Sequence, residues 1–166
     1  MYVLSCNDIY EMEKEVKSIY GISETILMEN AGAALFNFIK KTADKNSKML
    51  ILAGPGNNGG DGFVLMRHLR VNGYNADLYY PVNDNKYNKT AQTNLNILNN
   101  LNIPLYDLST LNNIDNYNII IDALFGIGLK RNLSGIYKDI IEKVNQTNAL
   151  KTHSAASELS LTNPEE

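Results

Sequence analysis

A single cysteine, Cys6, in 166 residues excludes an internal disulfide, and it is read as a small packing residue rather than a nucleophile. No run of about 18 apolar residues occurs, and the N-terminus lacks a charged-then-apolar signal pattern. A soluble, cytoplasmic chain that does not engage a membrane is therefore expected. Basic residues are not in excess either. Fifteen Lys and Arg stand against 18 Asp and Glu, a net charge of -3, with a pI near 5.4. That balance argues against nucleic acid as the main partner. Tryptophan is absent, and the ten tyrosines and four phenylalanines are read as core or rim residues. With 44% hydrophobic residues the chain can still bury one core, as a single domain. The 24 asparagines are interleaved with a regular apolar pattern, so they do not signal a low-complexity segment.

That pattern alternates helix and strand. Helices are expected at 8–20 and 23–45, the second capped by Ser23. A strand at 49–53, a helix at 62–72, a strand at 76–80 and a helix at 88–101 follow. A brief strand at 104–106, an Ile-rich strand at 118–123 and a helix at 135–144 complete the series. Triple isoleucine suits a strand buried on both faces of a parallel sheet. The order implies an α/β fold: a Rossmann-like, doubly wound, mainly parallel sheet in three layers, with ligands at the carboxyl ends of its strands.

The most informative stretch is AGPGNNGGDG at 53–62, where a strand runs into five glycines, two asparagines and one carboxylate. Gly54, Gly56 and Gly59 satisfy G-x-G-x-x-G between strand and helix, a context for phosphate at a helix N-terminus. The match to a dehydrogenase is incomplete. The acid expected about 20 residues on, at the end of the second strand, is missing. That strand ends in Tyr79, Tyr80 and Pro81, and Asp84 comes late. Nor does Lys followed by Ser or Thr follow the glycines, which argues against a P-loop. From the pattern alone, a nucleotide site and a merely tight turn both stay open.

The wording of the loop resembles the signature of the YjeF N-terminal domain family, the NAD(P)H-hydrate epimerases. LMENAG at 27–32 resembles that family's N-terminal helix segment, and DALFGIGL at 122–129 resembles its second loop. The resemblance implies epimerisation of the R and S forms of hydrated NADH or NADPH, a cofactor repair reaction. It implies substrate contacts at Asn57, Asn58, Gly59, Gly60 and Asp61. A second set follows at Gly126, Ile127, Gly128, Leu129, Lys130, Arg131 and Asn132. It also implies a potassium ion held by Asn58 and Asp122, and a homodimer. The same fold occurs in non-catalytic scaffold and binding proteins, so an interaction module stays open as the alternative.

Asp61 is the catalytic candidate, as the only ionisable group in the first loop. A helix start beside it is expected to stabilise its charged form and weaken it as an acid. Its plainer role would be an N-cap. His68, mid-helix between Arg67 and Arg70, is read as surface or packing. Members of the family continue after the last helix with a strand and an Asp-x-Pro-Ser-Gly segment, which the sequence does not show. Residues 1–146 are therefore expected to form an incomplete domain of reduced activity, followed by a disordered tail at 147–166. The dehydratase domain fused in many bacterial members is not expected within 166 residues.

Overall fold

The computed structural model describes residues 5–82, 87–126 and 132–153. Within them lie helices α1 (Cys6–Ile19), α2 (Glu24–Thr42), α3 (Asn57–Val71), α4 (Lys89–Asn100) and α5 (Ile136–Gln146). The strands are β1 (Met49–Ala53), β2 (Ala76–Tyr80), β3 (Tyr106–Asp107), β4 (Ile119–Ala123) and β5 (Leu150–His153). All pair in parallel, in the order β3-β2-β1-β4-β5. The chain winds outward from β1 to β3, then returns to lay β4 against the other side of β1. The order thus reverses between β1 and β4, where doubly wound sheets open a crevice at their carboxyl edge.

Helices cover both faces. One face carries Leu35 of α2, Phe63 and Leu69 of α3 and Leu98 of α4, packed on Met49, Ile51, Leu78 and Ile121. The other carries Ile140 and Val144 of α5 with Leu108 and Leu111, packed on Leu50, Leu52 and Ile120. Every residue of β1 is buried. Each such apolar side chain contributes roughly 1.5–3 kcal/mol. The expected fold class is the observed one.

Three expectations need correction. The helix expected at 62–72 begins at Asn57, so most of the glycine-rich segment is helix rather than loop. Asn and Gly are poor helix formers, but packing of this turn against α2 and α4 overrides that preference. The brief strand is displaced to Tyr106–Asp107, since Pro104 cannot donate to a ladder. The tail is not structureless from residue 147. Leu150–His153 forms β5, placing Leu150 opposite Ile119 and Thr152 opposite Ile121. Its four residues lack a strand pattern of their own, and pairing with β4 imposes the conformation. The rest of the tail, 154–166, lies outside the described residues, as does the Cys6 side chain. No helix among the described residues is long and apolar enough to cross a membrane.

Candidate functional site

The carboxyl ends of β1 and β4 are joined by a contact only glycine permits. Gly54 N–H donates to the Ala123 carbonyl at 2.9 Å. A Cβ on Gly54 would lie 1.8 Å from the Leu124 carbonyl oxygen. The roots of the two loops therefore meet at the switch point. Beyond Gly126 the second loop leaves the described residues, and Ile127, Gly128, Leu129, Lys130 and Arg131 lie outside them. Asn132 is described and exposed.

From Gly54 the chain turns through Pro55 and Gly56 into α3. Gly56 is the N-cap and supplies no side-chain cap. The first intrahelical bond runs from Gly60 N–H to the Gly56 carbonyl at 3.1 Å. The N–H groups of Asn57, Asn58 and Gly59 precede it, so they belong to the set a helix cannot satisfy internally. They face an edge where an anion is stabilised.

The glycines divide into two kinds. A Cβ on Gly59 would lie 1.8 Å from the Gly54 carbonyl oxygen, because the first turn of α3 folds back on the end of β1. A Cβ on Gly60 would lie 2.4 Å from Met28 Cε and 3.3 Å from Ala91 Cα. Gly60 is thus where α3 seats between α2 and α4. Around Gly56 there is open space. Gly56 is the glycine that faces outward. At Gly59 and Gly60 a side chain would point into the protein, so the absence of one there serves helix packing.

The LMENAG segment explains itself in the same contacts. Gly32 lets α2 touch α3, since a Cβ there would lie 2.4 Å from Val64 Cγ1 and 3.2 Å from the Asp61 carbonyl oxygen. Met28 fills the space left by Gly60 and accepts a hydrogen bond from Asn94 Nδ2 at 3.2 Å. Glu29 accepts from Arg67 and lies 2.9 Å from His68 Nε2. His68 also stacks on Phe36, with ring centroids 5.5 Å apart. It packs α2 on α3, as its sequence position suggested.

Asp61 is half-buried, five residues after the N-cap. It is therefore not the cap of α3. Burial, with the Glu13 charge adding to it, pushes its carboxyl up to about 7. The expectation that a helix start would hold Asp61 ionised is reversed. The carboxyl lies in the second turn, where desolvation outweighs a dipole effect confined to the first.

Asn58 is buried in the first turn of α3. Asp122 is half-buried at the end of β4, opposite Leu52, and its Oδ1 accepts from Leu124 N–H at 2.9 Å. Asp122 is thus bonded to Leu124, and Asn58 precedes Gly59, whose Cα packs on the Gly54 carbonyl. Among the described residues no three His, Cys, Asp or Glu gather as a metal-binding group. The second strand offers no ribose-binding acid. Asp77 stands at its opposite end, where it accepts from Tyr117 Oη at 2.9 Å and sits 3.7 Å from Lys48 Nζ.

Sequence reasoning missed Asn88 and Glu13. Asn88 caps α4 and donates from Nδ2 to Asn57 Oδ1. An Asn before an apolar-periodic segment signals a cap, but nothing local signals a bond across 31 residues.

Comparison with known proteins agrees with this geometry. Residues 24–155 match the family described as YjeF-related protein N-terminus. The chain is 35% identical over 149 residues to a protein of Dictyoglomus turgidum named bifunctional NAD(P)H-hydrate repair enzyme Nnr, covering 87% of this chain and 29% of that one. It is 37% identical to a Plasmodium knowlesi protein named NAD(P)H-hydrate epimerase, covering 77% and 44%. A Levilactobacillus brevis protein of the same name is 36% identical, with 80% and 60% covered. The chain thus spans less than two thirds of the length of these relatives. The crystal structure of the yeast protein ynu0 superimposes with a TM-score of 0.80 at 26% identity, covering 94% of this chain and 70% of that one. The matched region runs past residue 146 and includes β5. The chain belongs to the family of YjeF-related protein N-termini.

Proposed function

We propose that this domain binds hydrated NADH or NADPH at the β1–β4 edge and interconverts the R and S epimers. The observation that carries the reading is Asp61, a half-buried carboxyl on the site helix that burial pushes up to about 7. The names of the relatives support the substrate class.

The reacting carbon of the hydrate bears both a hydroxyl and the ring nitrogen. Protonating the hydroxyl lets water leave as the nitrogen lone pair forms an iminium ion. Water returning to the opposite face, giving up a proton, forms the other epimer. A carboxyl near 7 is present in both forms at neutral pH, so Asp61 can donate the proton and then take one back. The N–H groups of Asn57, Asn58 and Gly59 suit the diphosphate. Asp77 is tied to Tyr117 at the far end of β2, so β2 itself offers no acid at its carboxyl end for the ribose hydroxyls of an ordinary dehydrogenase, and Asp84 lies outside the described residues.

Asn58 and Asp122 would hold the potassium ion. An amide oxygen and a single carboxylate, oriented by Leu124 N–H, are hard donors of low total charge, which suits an alkali cation. Such an ion supplies positive charge that braces the two loops. Membership of the family also supports a second copy of the chain as partner and a cytoplasmic location.

The test is the rate at which separated epimers interconvert, followed by chromatography, for the wild type and Asp61→Ala. The wild type is expected to exceed the spontaneous rate and Asp61→Ala to fall by about 100-fold or more. A wild type no faster than buffer overturns the function. Full activity in Asp61→Ala removes Asp61 from the mechanism.

A further inference from the structure

We propose that Asn88, outside every motif of the site, sets the polarity of the Asn57 carboxamide and makes it a hydrogen-bond donor toward the ligand's phosphates. The inference rests on the reading that a dinucleotide occupies this edge. Asn88 Oδ1 accepts from Ala91 N–H at 2.8 Å, as the N-cap of α4. A backbone N–H can only donate, so the two ends of the Asn88 amide are not interchangeable. Its NH2 group must be the end that meets Asn57.

An NH2 group can only donate, so Asn57 presents its oxygen to Asn88. Its own Nδ2 is then directed away from that bond. Asn57 is exposed and is the first residue of α3. Its Nδ2 therefore adds a side-chain donor beside the backbone N–H groups of Asn57 and Gly59, which α3 itself cannot satisfy. A donor at that position has the polarity a phosphate requires. Ala91, in the first turn of α4, seats against Gly60 of α3, which holds the two helix starts side by side. Without Asn88, the Asn57 amide is free to rotate and turn its oxygen toward a phosphate. Asn88 is a positioning residue, acting through Asn57.

The test uses the full chain and NADP+ as the probe, with affinity from calorimetry and folding from thermal melts. The variants are Asn57→Ala, Asn88→Ser, Asn88→Asp and the double variant Asn57→Ala with Asn88→Asp. Asn57→Ala is expected to weaken binding about tenfold, the value of one hydrogen bond to a charged group. Asn88→Ser keeps a cap and frees Asn57, and should cost less. Asn88→Asp keeps at least as good a cap, yet its second oxygen must take the NH2 of Asn57 and turn the amide oxygen outward. It should therefore bind more weakly than Asn88→Ser, whereas a purely structural role for residue 88 predicts no loss beyond that of Asn88→Ser.

Direct repulsion by the new carboxylate is separated by the double variant. If the effect passes through Asn57, Asn88→Asp should change little once Asn57 is Ala. An undiminished effect of Asn88→Asp in that background overturns the proposal, as does equal affinity of the Ser and Asp variants. Unchanged affinity in Asn57→Ala overturns the site reading at this edge, and the inference falls with it. Wild-type binding with no epimerisation would count against the activity alone.

Discussion

Replacing Asp61 by Asn should stabilise the protein above neutral pH and leave its stability near pH 4 unchanged. The ordinary value for the carboxyl is 3.8, and burial raises it to about 7. The folded state therefore holds a proton there that the unfolded state has already released. Between those values folding takes up a proton, so stability falls as pH rises. The contribution is fully present below about 4 and fully lost above about 7. The difference corresponds to about 4 kcal/mol. Asp61 is only half-buried, and solvent screening reduces this to about 2 kcal/mol.

Asn keeps the shape of the neutral acid and pays no ionisation cost. For a chain of this length about 2 kcal/mol is roughly 4–8 °C in melting temperature. The assay is a thermal melt of wild type and Asp61→Asn at intervals from pH 4 to 8. The curves should coincide at the acid end and separate progressively up to about pH 7. A gap that stays constant with pH would refute the reasoning, because a packing change has no titration. A gap of the opposite sign at pH 8 would show that Asp61 is stabilised as the anion after all. The same series in the epimerase assay should lose activity in Asp61→Asn at every pH.

The glycines should separate by what a Cβ would meet. Gly54→Ala collides with the Leu124 carbonyl and should prevent stable folding, whereas Gly56→Ala points into open space and should melt within about 1 kcal/mol of wild type. Gly60→Val should destabilise by about 1–3 kcal/mol through overpacking against Met28, with Met28→Ala restoring part of the loss. Equal melting temperatures for Gly54→Ala and Gly56→Ala would contradict the packing. Burial acts to raise the Glu29 carboxyl, but hydrogen bonds from Arg67 and His68 together outweigh it and hold it below its ordinary 4.5. Glu29→Gln should therefore cost about 1 kcal/mol above pH 5, and the difference should vanish as acid protonates Glu29, the reverse of the Asp61 trend. Persistence of that cost at pH 3 would assign it to packing of α2 on α3 alone.

Much of the architecture was legible in the sequence. The apolar runs at 49–53 and 76–80 are the observed β1 and β2, and the Ile-rich run extends one residue before β4. Strands buried on both faces carry their evidence locally, in successive side chains that must all be apolar. The glycine-rich motif likewise marked the family and the switch point between β1 and β4. What it did not disclose is which way each glycine faces. That depends on where α2 and α4 lie, and those contacts span tens of residues: Gly60 with Met28 and Ala91, Gly32 with Val64. The same non-local packing drew Asn57–Asp61 into helix against their propensity. It moved Asp61 from the free end of the dipole into a desolvated second turn, which reversed the direction of its pKa. It recruited Leu150–His153 as a strand through pairing alone. Sequence patterns report the periodicity of a segment. Burial, register and the charge state of a carboxyl are properties of what surrounds it, and those were settled only when the helices closed on the sheet.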